Sequence, residues 1–182
     1  MAYDVITFGE AMVRLSPPQF RRLEQTPSLD VLVGNAAEFG VFSPLTHITP
    51  DLWTEVVDLN LTANWRLIRA MDPLLRAAPV GRAIFVTSRL GRDALPYYGP
   101  YAVSKAGLET LVRVYAGEVA RTRVRVNLID PGVVRTRLRA QIFPGEDPTT
   151  LPAADSVTDA FLDLALPECA VNGEVVTLTA AG

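Results

Sequence analysis

Ala83-Ile84-Phe85-Val86-Thr87-Ser88 opens the stretch that decides the fold, and Tyr101-Ala102-Val103-Ser104-Lys105 closes it. The first part is a continuous apolar run that turns polar at its C-terminal end, the pattern of a strand buried on both faces. A loop with Gly91, Pro96, Gly99 and Pro100 follows, and then a helix is predicted over Tyr101 to Arg121, helped by Ala102, Ala106, Leu108, Leu111 and Ala116. Working outward, Asp30-Val31-Leu32-Val33 is a second buried run, ended by Gly34-Asn35. Val124 to Ile129 is a third, ended by Asp130-Pro131-Gly132. Thr49-Pro50-Asp51 combines a cap, a proline and an acid, and starts a helix that runs toward Arg76. A short helix near Ser156 to Ala165 and a strand from Glu174 to Leu178 complete the tail. At the other end, Val5 to Phe8 reads as a strand entering a turn at Gly9, and Ser16-Pro17-Pro18 breaks any regular element. Strands alternating with helices predict an α/β fold: a truncated Rossmann-like three-layer sandwich with a mostly parallel sheet. In such sheets ligands sit beyond the C-terminal strand ends, where Asn35, Ser88 and Pro131-Gly132 all fall.

Composition narrows the function. The 182 residues are 49% hydrophobic and 20% charged, with a net charge of −3, which gives no reason to expect a nucleic-acid partner. No apolar run reaches the ~18 residues of a membrane span. Cys169 is the single cysteine and His47 the single histidine, so neither a disulfide nor a metal site is expected, and a cytoplasmic location follows as the default. Of 17 Lys plus Arg, only Lys105 is a lysine. A chain that uses arginine everywhere else keeps one compact amine here, where a planar, bulkier guanidinium would not substitute.

Tyr101 and Lys105 are four residues apart at the start of a helix and share one face. A phenol titrates near pH 10 in water, and a neighbouring ammonium and a helix N-terminus both favour the phenolate. The residues therefore predict a Tyr101 pKa lowered toward the working range of a general acid/base. Ser88 lies at the strand end, placed to hydrogen-bond a substrate oxygen beside the phenol. Asn60, within the first long helix, offers an amide that could hold a water between Lys105 and solvent. A Tyr and a Lys at this spacing are commonly mere surface neighbours; the strand-end Ser and the Pro-Gly after the next strand are what lift the pair above coincidence.

On these residues the stretch from Leu29 to Leu178 resembles the short-chain dehydrogenase/reductase family. Asp30-Val-Leu-Val-Gly-Asn-Ala-Ala37 is similar to the family's strand-four motif, usually Asn-Asn-Ala-Gly, with Gly34 for the first Asn and Ala37 for the Gly. Asp58-Leu-Asn60-Leu is similar to the segment of the catalytic Asn, Phe85-Val-Thr-Ser88 with Gly91 to that of the catalytic Ser, and Tyr101-Ala-Val-Ser-Lys105 to the Tyr-x-x-x-Lys motif. Asn127-Leu-Ile-Asp-Pro131-Gly132-Val-Val-Arg-Thr136 is similar to the segment that touches the nicotinamide. The resemblance implies an alcohol or carbonyl substrate, NAD or NADP as cofactor, and catalytic Ser88, Tyr101, Lys105 and Asn60. It implies cofactor binding at Asn35, Ala36, Tyr101, Lys105, Pro131, Gly132, Val134 and Thr136. It also implies a homo-oligomer formed through the helices near 51–76 and 101–121. The loops Arg89 to Pro100 and Arg137 to Pro152 would line a substrate pocket of apolar character.

Residues 1–30 depart from that family. The family's Gly-x-x-x-Gly-x-Gly loop, which brings backbone amides to a pyrophosphate, has no counterpart here: Gly9 stands alone, and the next glycines are Gly34 and Gly40. Asp4-Val-Ile-Thr-Phe-Gly-Glu-Ala-Met-Val-Arg-Leu-Ser-Pro17 instead resembles the first strand of ribokinase-like sugar kinases. The expected organisation is thus a kinase-like segment, 1–30, joined to the catalytic part of a dehydrogenase, 31–182, with the first strand set beside Val31-Leu32-Val33. Two alternatives to the oxidoreductase stand open: a folded hybrid that binds no NAD(P), and, more remotely, a sugar kinase fragment.

Overall fold

The computed structural model describes residues 27–178 and the backbone of Val5–Phe8; the turn expected at Gly9 and the break expected at Ser16-Pro17-Pro18 lie outside the described residues. Five strands form one sheet in sequence order: β1 (Val5–Phe8), β2 (Val31–Gly34), β3 (Arg82–Val86), β4 (Arg125–Asp130) and β5 (Val175–Thr177). Every pairing is parallel. Val5 stands opposite Val31, so β1 occupies the place beside β2 that the sequence assigned to it.

Between β2 and β3 the chain is helical from α1 (Pro50–Val57) through a π-helical turn (Asp58–Thr62) into α2 (Ala63–Ala77). The expected start is made by Thr49, whose hydroxyl accepts the Leu52 N–H at 3.3 Å. After β3 come a single turn, α3 (Leu90–Asp93), and the long α4 (Gly99–Glu118). Two further helices, α5 (Arg137–Ile142) and α6 (Thr158–Ala165), lie between β4 and β5.

Side chains alternating along the strands divide the core into two layers. Leu32, Ala83, Phe85, Val126 and Leu128 face α2 and α4, where they meet Ile68, Leu75, Leu108, Val112 and Tyr115. Val31, Val33, Ile84 and Ile129 face α6 and meet Leu164. This is the three-layer α/β sandwich, and its larger core lies on the α2–α4 side.

Polar groups pin the margins. Buried Arg82 donates to the carbonyls of Leu166, Pro167 and Cys169, tying the end of α6 to the start of β3. Asn127 and Asn172 dock the last strand: Asn127 Nδ2 donates to Val171 O at 2.8 Å, and Asn172 Oδ1 accepts Val126 N–H at 2.9 Å. Leu108 is fully buried where α4 meets the sheet. Leu108→Ala should lower the unfolding free energy by about 3 kcal/mol in a urea titration, the usual cost of such a cavity.

Candidate active site

The ends of β2, β3 and β4 open on the same side of the sheet, and the segments leaving them build the site. β3 stops at Val86, but the Thr87 N–H still bonds Ile129 O at 2.8 Å, so the ladder holds until Ser88 turns away into α3. That turn presses on α4. A Cβ on Gly91 would lie 2.7 Å from Ala106 N and 3.0 Å from the Lys105 carbonyl carbon, so only glycine allows the approach.

α4 opens with Gly99-Pro100 and carries Tyr101 and Lys105 in its first two turns. Lys105 is 2% exposed, and its ammonium donates to Val86 O at 2.8 Å. It also lies 5.7 Å from the Tyr101 ring centroid, over the ring. Burial pushes the Tyr101 phenol up to about 12; the Ser88 hydroxyl, hydrogen-bonding beside it, acts the other way, and the Asp130 charge adds to the rise. Burial also pulls Lys105 down to about 8, partly opposed by Asp130. The expected lowering of the Tyr101 pKa is therefore not what this geometry gives. Desolvation outweighs the local donors, and the ammonium addresses the ring face.

Asn60 is fully buried in the π-helical turn, and its amide is spent on protein. Nδ2 donates to Glu38 O at 2.8 Å and Ser104 Oγ at 2.9 Å, and Oδ1 accepts Glu38 N–H at 2.8 Å. Ser104 Oγ in turn donates to Tyr101 O at 2.8 Å. The amide thus pins the loop after β2 and the first turn of α4, and keeps no N–H for a relay water. Asn35 and Ala36 follow β2 and are half-buried. Pro131 and Gly132 follow β4; Gly132 holds φ at +68°, a left-handed turn that suits glycine, and its N–H bonds Asp130 Oδ1 at 3.2 Å. Val134 is buried, whereas Thr136 is exposed and caps α5 through the Arg139 N–H.

Sequence reading passed over two features. One is an ionic cluster with two buried acids: Arg92 of α3 bridges Glu109 of α4, at 3.0 Å, and Asp130 at the end of β4. Glu109 also accepts from Thr87 Oγ1 at 2.9 Å. The signal was available, since Glu109 lies four residues beyond Lys105 on the same helix face. The other is an aromatic wall. Phe39 stacks against Tyr101 at 5.4 Å and Phe42 at 4.7 Å, and Phe42 meets Tyr98 at 5.0 Å and Phe143 at 5.7 Å. Beside it lies a cavity of about 170 Å³ between residues 38–42 and Leu138, Gln141 and Ile142 of α5. Among the described residues no cluster of His, Cys, Asp and Glu is arranged to hold a metal, and no helix is long and apolar enough to cross a membrane.

The parallel α/β sandwich brings Tyr101, Ser88 and Lys105 together beyond its strand ends, and comparison with known proteins gives the family. A family model described as Enoyl-(Acyl carrier protein) reductase matches residues 20–157. The oxidoreductase YciK of Escherichia coli K12 is 36% identical over 136 residues, 75% of this chain and 54% of its own length. Dehydrogenase/reductase SDR family member 4 of Mus musculus is 34% identical over 121 residues, 66% of this chain and 43% of its own. Among solved structures, a short chain dehydrogenase of E. coli CFT073 complexed with NADPH superposes with a TM-score of 0.80 at 33% identity, covering 85% of this chain and 64% of that one. One from Salmonella enterica serovar Typhi does so with a TM-score of 0.80, also at 33% identity, covering 83% and 63%. The chain belongs to the short-chain dehydrogenase/reductase family. It spans about half the length of these curated relatives. The family match begins at residue 20, inside the stretch read as kinase-like.

Lys105 makes stability depend on pH with a definite sign. Its folded value of about 8 lies below the ordinary 10.5, so between those pH values the unfolded chain binds more protons than the folded one. Stability contributed by this group therefore rises with pH across that window, by up to about 3 kcal/mol. Tyr101 acts in the opposite sense only above its ordinary value of 10. Urea midpoints of the wild type should climb from pH 8 to pH 10 relative to those of Lys105→Met; parallel curves would contradict a buried amine.

Proposed function

We propose that this chain carries the catalytic part of an NAD(P)-dependent oxidoreductase that interconverts an apolar alcohol and its carbonyl compound. The observation that carries the reading is the Tyr101 phenol, set beside the Ser88 hydroxyl and over a buried ammonium with hydrogens to spare. An ammonium has three donors, and among the described residues Lys105 finds one hydrogen-bond acceptor, Val86 O. Two buried donors at the strand ends fit the hydroxyls of a ribose. The relatives add support: one structure similar to this chain contains NADPH, and a Mycobacterium tuberculosis relative is named an NAD-dependent oxidoreductase.

NAD(P), when bound, supplies or accepts the hydride. In carbonyl reduction Tyr101 Oη gives its proton to the substrate oxygen, and Ser88 Oγ hydrogen-bonds that oxygen and orients it. A phenol raised to about 12 is held neutral in the resting site, loaded to donate. Lys105 would hold the ribose, with Asn35, Ala36, Pro131, Gly132, Val134 and Thr136 along the strand ends completing the contact. Asn60 serves through its pins on Glu38 and Ser104. The aromatic wall beside Tyr101 selects an apolar substrate, since the neighbouring cation, Arg139, is already paired with Glu146 at 2.6 Å and stacked on Phe143.

In the same reading, the kinase-like segment is confined to the residues before the family match at 20; it supplies β1, the first strand of the sheet, and brings no phosphotransfer chemistry. Assembly through α1, α2 and α4 belongs to it as well, for Trp53, Trp65, Val103 and Val114 are exposed there; light scattering should give a particle larger than one 19.8 kDa chain.

A second reading, a folded chain that binds no dinucleotide, is favoured by the lone Gly9 before Gly34. Titration with NADH and NADPH, followed by fluorescence, separates the two: micromolar binding supports the enzyme, and none up to millimolar supports the alternative. Given binding, Tyr101→Phe should lower turnover by at least 100-fold, on the order of a general acid's contribution, with the circular dichroism spectrum intact.

A further inference from the structure

Arg92 stands four residues after Ser88 and holds two carboxylates that are almost completely buried, Glu109 at 3% and Asp130 at 2% exposure. Two buried carboxylates need a cation between them, and Arg92, whose side chain is 35% exposed, reaches in from the surface to supply it. The cluster sits where the site is built. Asp130 Oδ2 accepts from Arg92 Nη2, and Oδ1 accepts the Gly132 N–H, so the carboxylate is fixed at both oxygens. Lys105 bonds Val86 O, and Val86 is paired with Ile129, the residue before Asp130.

The charged and titratable groups around Lys105 are Arg92, Glu109, Glu38, Tyr101 and Asp130. Arg92 on α3 is occupied by its two carboxylates. Glu109, one turn further along α4, is held by Arg92, Arg113 and Thr87. Glu38, after β2, turns its carboxylate to the N–H groups of Phe39 and Gly40. Tyr101, on the same helix, presents its ring. Asp130 remains.

We propose that Asp130, fixed by Arg92, is a positioning residue that serves as the counter-charge of Lys105 and keeps that buried amine an ammonium. The proposal rests on the reading of Tyr101, Ser88 and Lys105 as the catalytic group. Its chemistry is consistent with the directions already described: the Asp130 charge favours the charged form of Lys105 and disfavours a phenolate at Tyr101. Both effects keep the pair as ammonium and neutral phenol, the state that donates a proton to a carbonyl.

Lys105 is the chain's only lysine, so protein labelled with ¹⁵N-lysine shows one side-chain amine resonance whose pH titration can be followed by NMR on the free chain. Asp130→Asn, which keeps the shape and an acceptor oxygen, should move the midpoint down by about one pH unit or more. Glu109→Gln removes the same charge from the same cluster and should move it distinctly less. An unmoved midpoint in Asp130→Asn, or equal movement in both variants, overturns the proposal. Wild type supplies a check independent of folding in the variants: a buried, fixed counter-charge is little screened, so the midpoint should hold between low salt and 0.5 M NaCl. A clear fall with salt would assign the stabilisation to surface charges and overturn the proposal. None of these readings uses turnover, so a failure here and a failure of the oxidoreductase reading are told apart by the cofactor titration and Tyr101→Phe.

Discussion

The bond from the Lys105 ammonium to Val86 O carries a positive charge into a seam between a helix and a sheet, where water does not follow. A buried cation is tolerated only with partners in fixed positions. Much of the surrounding arrangement meets that demand. Gly91 lets the Ser88 turn close against α4. The strand ends are in register, so Val86 presents a carbonyl while Asp130 stands one residue beyond its partner. Arg92 holds the acids together. The site is thus a property of the junction of α4 with β3 and β4.

Most of the fold was legible in the sequence because its signals were local. Apolar runs gave β2, β3 and β4 to within about two residues, and Thr49-Pro50-Asp51 marked the start of α1, now capped as its residue types require. The buried ends of those runs turn polar at Ser88 and Pro131-Gly132, and the structure brings these to one rim. The tail was legible more coarsely, since β5 is three residues long and owes its place to Asn127 and Asn172, whose bonds span some 45 positions of sequence.

What was not legible depended on three-dimensional dielectric and on long-range partners. The spacing of Tyr101 and Lys105 shows that they share a face, but not that Lys105 lies over the ring or that burial drives the two pKa values apart, the phenol up and the amine down. Asn60 looked like a free amide because its partners, Glu38 and Ser104, come from segments 22 and 44 residues away. Glu109 and Asp130 lie 17 and 38 positions from Arg92 in the sequence, and only the fold joins the three in one cluster with two buried acids. The aromatic wall likewise draws on the loop after β2, whose composition gave no sign that Phe39 and Phe42 would face α5.

The wholly parallel order of the sheet has a kinetic consequence. The nearest paired residues in sequence, Val5 and Val31, are 26 positions apart; Arg82 and Arg125 are 43 apart, and Leu128 and Val175 are 47 apart. Among the described residues no hairpin seeds the sheet, and each of its ladders must close a long loop before its contacts repay the lost chain entropy. The segments able to order on local contacts are the helices, above all residues 50–77 and 99–118. A rim assembled from the ends of β2, β3 and β4 exists only once the long loops between them have closed, so the rim and the centre of the sheet arrive together.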